Sequence, residues 1–204
     1  LYADYAADLD ALLAALAIAR PLIAGHSLGG LIALWWARGQ PNRAAALLIE
    51  DSPLRSGHDF MPAFDRWIEL NAMSTEDAAL AYAAEYPHWS PELCHHRAAQ
   101  MTSTARNVFA ELRADSLAHH GVDRIAEIAT ITSPALLIHG DPHAGSMVHP
   151  EDAATFDRRL PNSTVVRIPG GSHGLHLDHR DAFLQAALPF LRQHAAGARQ
   201  RRVQ

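Results

Sequence analysis

Ser27 stands in the run Gly25-His26-Ser27-Leu28-Gly29, where an apolar stretch gives way to a second apolar stretch with only a tight turn between them. A serine hydroxyl is a weak nucleophile near neutral pH. It becomes useful when a base within hydrogen-bond reach can take its proton and a third group orients that base. His173, in Gly170-Gly171-Ser172-His173-Gly174, is the candidate base, because flanking glycines leave its ring free to approach another loop. Asp141, in His139-Gly140-Asp141-Pro142, and Asp51, in Glu50-Asp51-Ser52-Pro53, are the candidate acids. Together such groups perform attack on a carbonyl, formation of an acyl intermediate and its release by water. The plainer reading of Ser27 is a residue that caps the following helix.

Those side chains need elements that place them. Leu22, Ile23 and Ala24 read as a short strand (21–24), buried on both faces as in a parallel sheet. After Ser27, Leu31, Ile32, Leu34, Trp35 and Trp36 read as a buried helix (28–38), with Gly39 and Pro41 at its end. A reversal that short brings backbone against backbone, so side chains at Gly25 and Gly29 are expected to clash. It also forces Ser27 into an unfavourable backbone conformation with its hydroxyl exposed, the pattern of a nucleophile elbow. Three further apolar runs, 44–50, 134–140 and 164–170, read as strands ending at Asp51, Asp141 and the His173 loop. Helices are expected at 2–19, 149–162 and 181–194, with Pro189 kinking or splitting the last. Strands alternating with helices predict an α/β fold with a parallel sheet flanked by helices.

Residues 53–133 interrupt the alternation. They read as five short helices, one opening on a capping box of Ser74 and Asp77. Their large apolar and aromatic residues, among them Phe60, Met61, Phe64, Trp67, Tyr82, Tyr86 and Trp89, suit either ordinary core or the inner face of a helical lid. The expected organisation is a core of residues 1–52 and 134–204 around a helical insertion of 53–133.

Composition narrows the partners. The chain has 204 residues, is 49% hydrophobic and carries a net charge of −5, enough for a sizeable core and unsuited to nucleic acid. The tail Ala198-Arg199-Gln200-Arg201-Arg202 is the sole basic cluster. No apolar run approaches the roughly eighteen residues that span a membrane. A single cysteine, Cys94, allows no internal disulfide. Of the 14 histidines, the adjacent pairs His95–His96 and His119–His120 point to different helix faces, and His139, His143 and His149 lack zinc-site spacing, so no metal is expected. His176 reads as a residue under the final helix and His179 as solvated.

The set Ala24-Gly25-His26-Ser27-Leu28-Gly29-Gly30, a helical insertion, Leu136-Leu137-Ile138-His139-Gly140-Asp141 and Gly171-Ser172-His173-Gly174-Leu175-His176 before a last helix resembles the α/β-hydrolase family over almost the whole chain. The resemblance implies a Ser–His–Asp hydrolase with a lid, Ser27 as nucleophile, His173 as base and the backbone N–H of Leu28 as half of an oxyanion hole. Many family members place the acid where this sequence has His143. Asp141 is the nearest carboxylate on that loop and is the expected acid. Asp51, after the preceding strand, is the alternative that some relatives use.

The leading function is hydrolysis of an ester or related acyl bond in a small apolar substrate, without a cofactor. A carbon–carbon bond hydrolase, an acyltransferase, a cofactor-free haloperoxidase and a non-catalytic binding protein on the same fold are the alternatives. Only one helix precedes the elbow, so the sequence resembles the C-terminal two-thirds of a longer protein. On that view the first strand lacks a neighbour on one side, and self-association through the unpaired sheet edge is expected. No leader sequence is visible, and a cytoplasmic location is expected.

Overall fold

Strand and helix alternate along the chain as the apolar pattern requires, in a computed structural model that describes residues 2–55, 61–119, 122 and 124–198. Four short strands, β1 (Leu22–His26), β2 (Ala46–Glu50), β3 (Ala135–His139) and β4 (Ser163–Arg167), lie side by side in the order β1-β2-β3-β4, all parallel. Registers pair His26 with Glu50, Glu50 with Ile138, and His139 with Arg167, so the strands end together and their following loops share one edge. Active groups in open α/β sheets gather at that carboxyl edge.

Both faces of the sheet are covered. Leu47, Ile49 and Leu137 pack into one cluster with Leu34 and Trp36 of α2 (Leu28–Gly39) and Phe156 of α8 (Pro150–Arg159). Leu48, Leu136 and Ile138 pack into another with Leu175 of the short α9 (Leu175–Asp178) and Phe183, Ala187 and Phe190 of α10 (Arg180–Ala198). Every residue of β2 and β3 is buried, which is why these strands read as unbroken apolar runs and not as alternation. In contrast β1 is only part-buried, and within the described residues it pairs with β2 alone.

Two helix ends differ from the sequence expectation. The first helix, α1 (Tyr2–Ala15), stops four residues early. Ala17 takes a left-handed φ of 53°, and the N–H groups of Ala17 and Ile18 turn back to the carbonyls of Ala14 and Leu13 at 3.0 and 2.9 Å. That is a Schellman closure with alanine where glycine is usual, so the sequence carries no stop signal. The last helix is not split at Pro189 but runs from Arg180 to Ala198 with the proline inside. Gln185, whose carbonyl loses its bonding partner, and Pro189 both lie on the exposed side, where water can take the carbonyl.

The insertion forms its own compact unit, Ser56–Val122. It holds α3 (Met61–Asn71), α4 (Thr75–Glu85), α5 (Pro91–Ser103) and α6 (Arg106–Ala118). Residues 123–133, counted with the insertion on sequence, belong to the core unit, because α7 (Arg124–Ile128) buries Ile125 and Ile128 in the cluster under β2. Within the insertion, Leu70, Ala78, Tyr82, Cys94 and Ala98 make a small core against which Tyr86 and Trp89 stack. The α4 N-terminus is capped as expected, Ser74 Oγ accepting from the N–H of Asp77 at 3.1 Å. Phe60, His120 and the basic residues of the tail lie outside the described residues.

Candidate active site

The turn between β1 and α2 has the strain that its sequence requires. Ser27 has φ 53° and ψ −121°, a conformation that L residues avoid, and its backbone N–H donates to the carbonyl of Glu50 at 2.9 Å. Ser27 is thereby bonded to the residue before Asp51. A side chain at Gly25 would lie 2.5 Å from the backbone of Gly29 and Gly30, and one at Gly30 would lie 1.9 Å from Ser52 Oγ. Gly29 differs from expectation, since a side chain there meets nothing within 4 Å. The crowded pair is Gly25 and Gly30, because it is Gly30, on the inner face of α2, that rests on β1 and β2. The N–H of Leu28 opens α2, so no carbonyl four residues back can receive it.

His173 and Asp51 meet. Nδ1 of His173 donates to Oδ2 of Asp51 at 2.8 Å. A carboxylate only accepts, so Nδ1 carries the proton and Nε2 is left with its lone pair, the tautomer a general base needs. Asp51 is fully buried and has φ 41°. Ser146 Oγ donates to its Oδ1 at 2.5 Å, and the N–H of Met147 donates to its Oδ2 at 2.8 Å. Three donors thus compensate the buried charge.

Asp141, the expected acid, is engaged elsewhere. Arg167 Nε donates to its Oδ1 at 2.5 Å and the N–H of Gly170 to its Oδ2 at 2.7 Å. The Arg167 guanidinium, followed by the Gly170 N–H, holds its carboxyl below the usual carboxylate range. The difference lies in the donors each carboxylate meets and not in strand order, since Asp141 follows β3, which borders the strand leading to His173, yet binds Arg167 and Gly170, whereas Asp51 follows β2 and meets the His173 ring. The sequence expectation places the acid on the loop after β3; in the structure that loop supplies Ser146 and Met147, whose donors hold Asp51.

Two neighbours of the site have no role assigned by the sequence pattern. His26, in the elbow motif itself, sets its ring 4.5 Å from that of His173, and its Nε2–H donates to the His173 carbonyl at 2.9 Å. Burial, followed by the neighbouring His173, pushes the basicity of His26 down. Glu50, buried at the end of β2, accepts from both the N–H and Nδ1 of His176, at 2.9 and 2.8 Å. Only its position beside Asp51 could have drawn attention to it. Among the described residues no group of three or more His, Cys, Asp or Glu side chains is placed to hold a metal ion. No helix among them is long and apolar enough to cross a membrane.

Comparison with known proteins agrees with this fold. A model of the "Alpha/beta hydrolase family" matches residues 1–186. A pimeloyl-[acyl-carrier protein] methyl ester esterase of Yersinia enterocolitica is 26% identical over 194 residues, covering 83% of this chain and 68% of that protein. A thermophilic esterase from Thermogutta terrifontis superposes with a TM-score of 0.69 at 21% identity, over 93% of this chain and 71% of its own. An esterase from Exiguobacterium antarcticum gives 0.68 at 18% identity, over 94% of this chain and 74% of its own. The chain therefore spans roughly seven-tenths of the length of each of these three proteins.

Proposed function

Since the chain belongs to the alpha/beta hydrolase family, we propose that it is a serine hydrolase cleaving an ester or related acyl bond of a small apolar molecule. One observation carries the reading: a strained Ser27 at a β1–α2 elbow shares an edge of the sheet with a His173–Asp51 pair 2.8 Å apart. Nε2 of His173 takes the Ser27 proton as Oγ attacks the carbonyl. Asp51 holds the ring tautomer and stabilises the imidazolium that forms. The N–H of Leu28 donates to the developing oxyanion. The imidazolium then protonates the leaving alcohol, and water repeats the sequence to free the acid and restore Ser27. The methyl ester esterase among the similar proteins supports ester hydrolysis as the reaction class.

Labelling with a fluorophosphonate probe is the direct test, because the reagent needs an activated serine. The expected result is one adduct, on Ser27, abolished by Ser27→Ala. Failure to label would point to a binding protein on this fold.

A further inference from the structure

Glu50 is a buried carboxylate that the triad leaves unused. It sits at the end of β2 with 4% of its surface exposed, and both bonds given to its Oε1 come from His176. A buried carboxylate is tolerated only where it is well bonded, so this one fixes His176 in place. The ring of His26 lies between the two other histidines, 4.5 Å from His173 and, edge-on, 5.2 Å from His176. Glu50 and His26 are register partners across β1 and β2, so the same sheet places all the parts. From this position His26 donates its Nε2–H to the main-chain carbonyl of His173. His173 is held twice, its ring by Asp51 and its backbone by His26.

The second hold is unusual in what it joins. His26 is the residue before Ser27, so a single hydrogen bond ties the turn that bears the nucleophile to the loop that bears the base. We propose that His26 is a positioning residue that clamps the base loop to the nucleophile turn, with Glu50 and His176 as the buttress that sets the His26 ring. The inference rests on the serine-hydrolase reading above. The clamp acts through a donor, so the ring must keep its Nε2 proton. It acts best as a neutral ring, since a second cation beside the imidazolium formed in catalysis would oppose it. Burial favours that neutral form. A misplacement of the base by a fraction of an ångström is felt in the chemical step and not in substrate binding.

Steady-state kinetics on a short-chain aryl ester, with fluorophosphonate labelling and thermal melts, tests this in the natural full-length protein. His26→Phe keeps a ring and removes the donor. Its kcat should fall by roughly 5- to 20-fold, the effect of one lost hydrogen bond, with KM and melting temperature close to wild type. His26→Gln returns an amide donor near the same point and should recover most of the loss. Glu50→Gln keeps the shape and weakens the buttress, so a smaller fall in kcat at unchanged KM is expected. That variant carries the test if His26→Phe does not fold. Wild-type kcat in His26→Phe, or in Glu50→Gln where that variant decides, overturns the clamp. So does a His26→Gln variant no better than His26→Phe, which would make the effect one of packing. A wild-type protein that does not label at Ser27 overturns the hydrolase reading and this inference with it. Labelling at Ser27 with unaffected variants overturns this inference alone.

Discussion

Two adjacent strands, β2 and β3, end in loops that each begin near an aspartate, and the two aspartates do opposite things. Asp51 is fully buried, has positive φ, and accepts from a serine hydroxyl, a backbone N–H and an imidazole. Asp141 binds the exposed guanidinium of Arg167 and the N–H of Gly170. In sequence Asp141 is the expected acid, as the nearest carboxylate on the loop after β3, where the family resemblance places it. The difference shows that what a carboxylate can do is set by the donors that face it. The longer loop after β3 makes the exchange workable. Its extra residues bring Ser146 and Met147 back across the strand end to hold the aspartate of the neighbouring loop.

The largest effect expected is at the residue both loops were candidates to serve. Ser27→Ala should lower kcat on a short-chain aryl ester by about 10⁴-fold or more, judged from triad knockouts. Near-normal activity in a clean preparation would remove the reason for comparing the two acids. Asp51→Asn should follow closely, at roughly 10⁴-fold, because an amide in that place favours the wrong imidazole tautomer. Asp141→Asn, assayed beside it, should stay within about threefold of wild type, as a substitution away from the reacting groups. If the order of the two variants were reversed, Asp141 would be the acid and the His173–Asp51 bond only a resting arrangement.

Most of what decides this comparison follows from local patterning, and the rest from contacts that no local pattern encodes. The four strands, the elbow and the His173 loop are readable because each depends on neighbours in sequence: an apolar run, a glycine-framed turn, a Gly-Gly step. Gly25 was readable for the same reason, as it must let the α2 backbone approach. The crowding at Gly30 was not, since it comes from Ser52, on a different strand end. The pairing of His173 with Asp51, and of Asp141 with Arg167, depends on side-chain contacts between loops distant in sequence, which no local pattern states. Ala17 closes α1 in a left-handed conformation without the glycine that would announce it. The end of the insertion at Val122 depends on where Ile125 and Ile128 are buried, which is a tertiary fact.

A smaller effect separates the donors of Asp51 from its ring partner. Ser146 is buried, and its hydroxyl satisfies Oδ1 of a carboxylate that water does not reach. Ser146→Ala should destabilise the protein by about 1–3 kcal/mol in urea unfolding, the cost of an unmet buried acceptor. It should also lower kcat by roughly tenfold, since about 1.4 kcal/mol of lost stabilisation in the transition state corresponds to that factor. An unchanged kcat would mean that His173 and Met147 alone hold Asp51 well enough, and that the loop after β3 contributes stability without supporting the acid.

The smallest expected effect, in the dependence of stability on pH, tests the loop after β3 by itself. His139 closes that strand and is buried, and burial pushes its basicity below the ordinary histidine value near 6.5. The folded state then binds fewer protons than the unfolded state once pH falls below that value, so stability decreases as acid is added. His26 shifts in the same direction and adds to the slope. Asp141 acts in a separate window. Its carboxyl is held below the ordinary value of 3.8 by Arg167 and Gly170, so its contribution is fully present above that pH and disappears as pH drops through the lowered value. Urea unfolding across pH should therefore show His139→Phe with a shallower decline than wild type below about 6.5, the point at which the unfolded histidine begins to charge. Asp141→Asn should run parallel to wild type there, and the two should converge only in the range below about 4, where the unfolded carboxylate is protonated. Convergence near pH 6 would mean that Asp141 senses a histidine, as a catalytic acid does, and would restore it as a rival to Asp51.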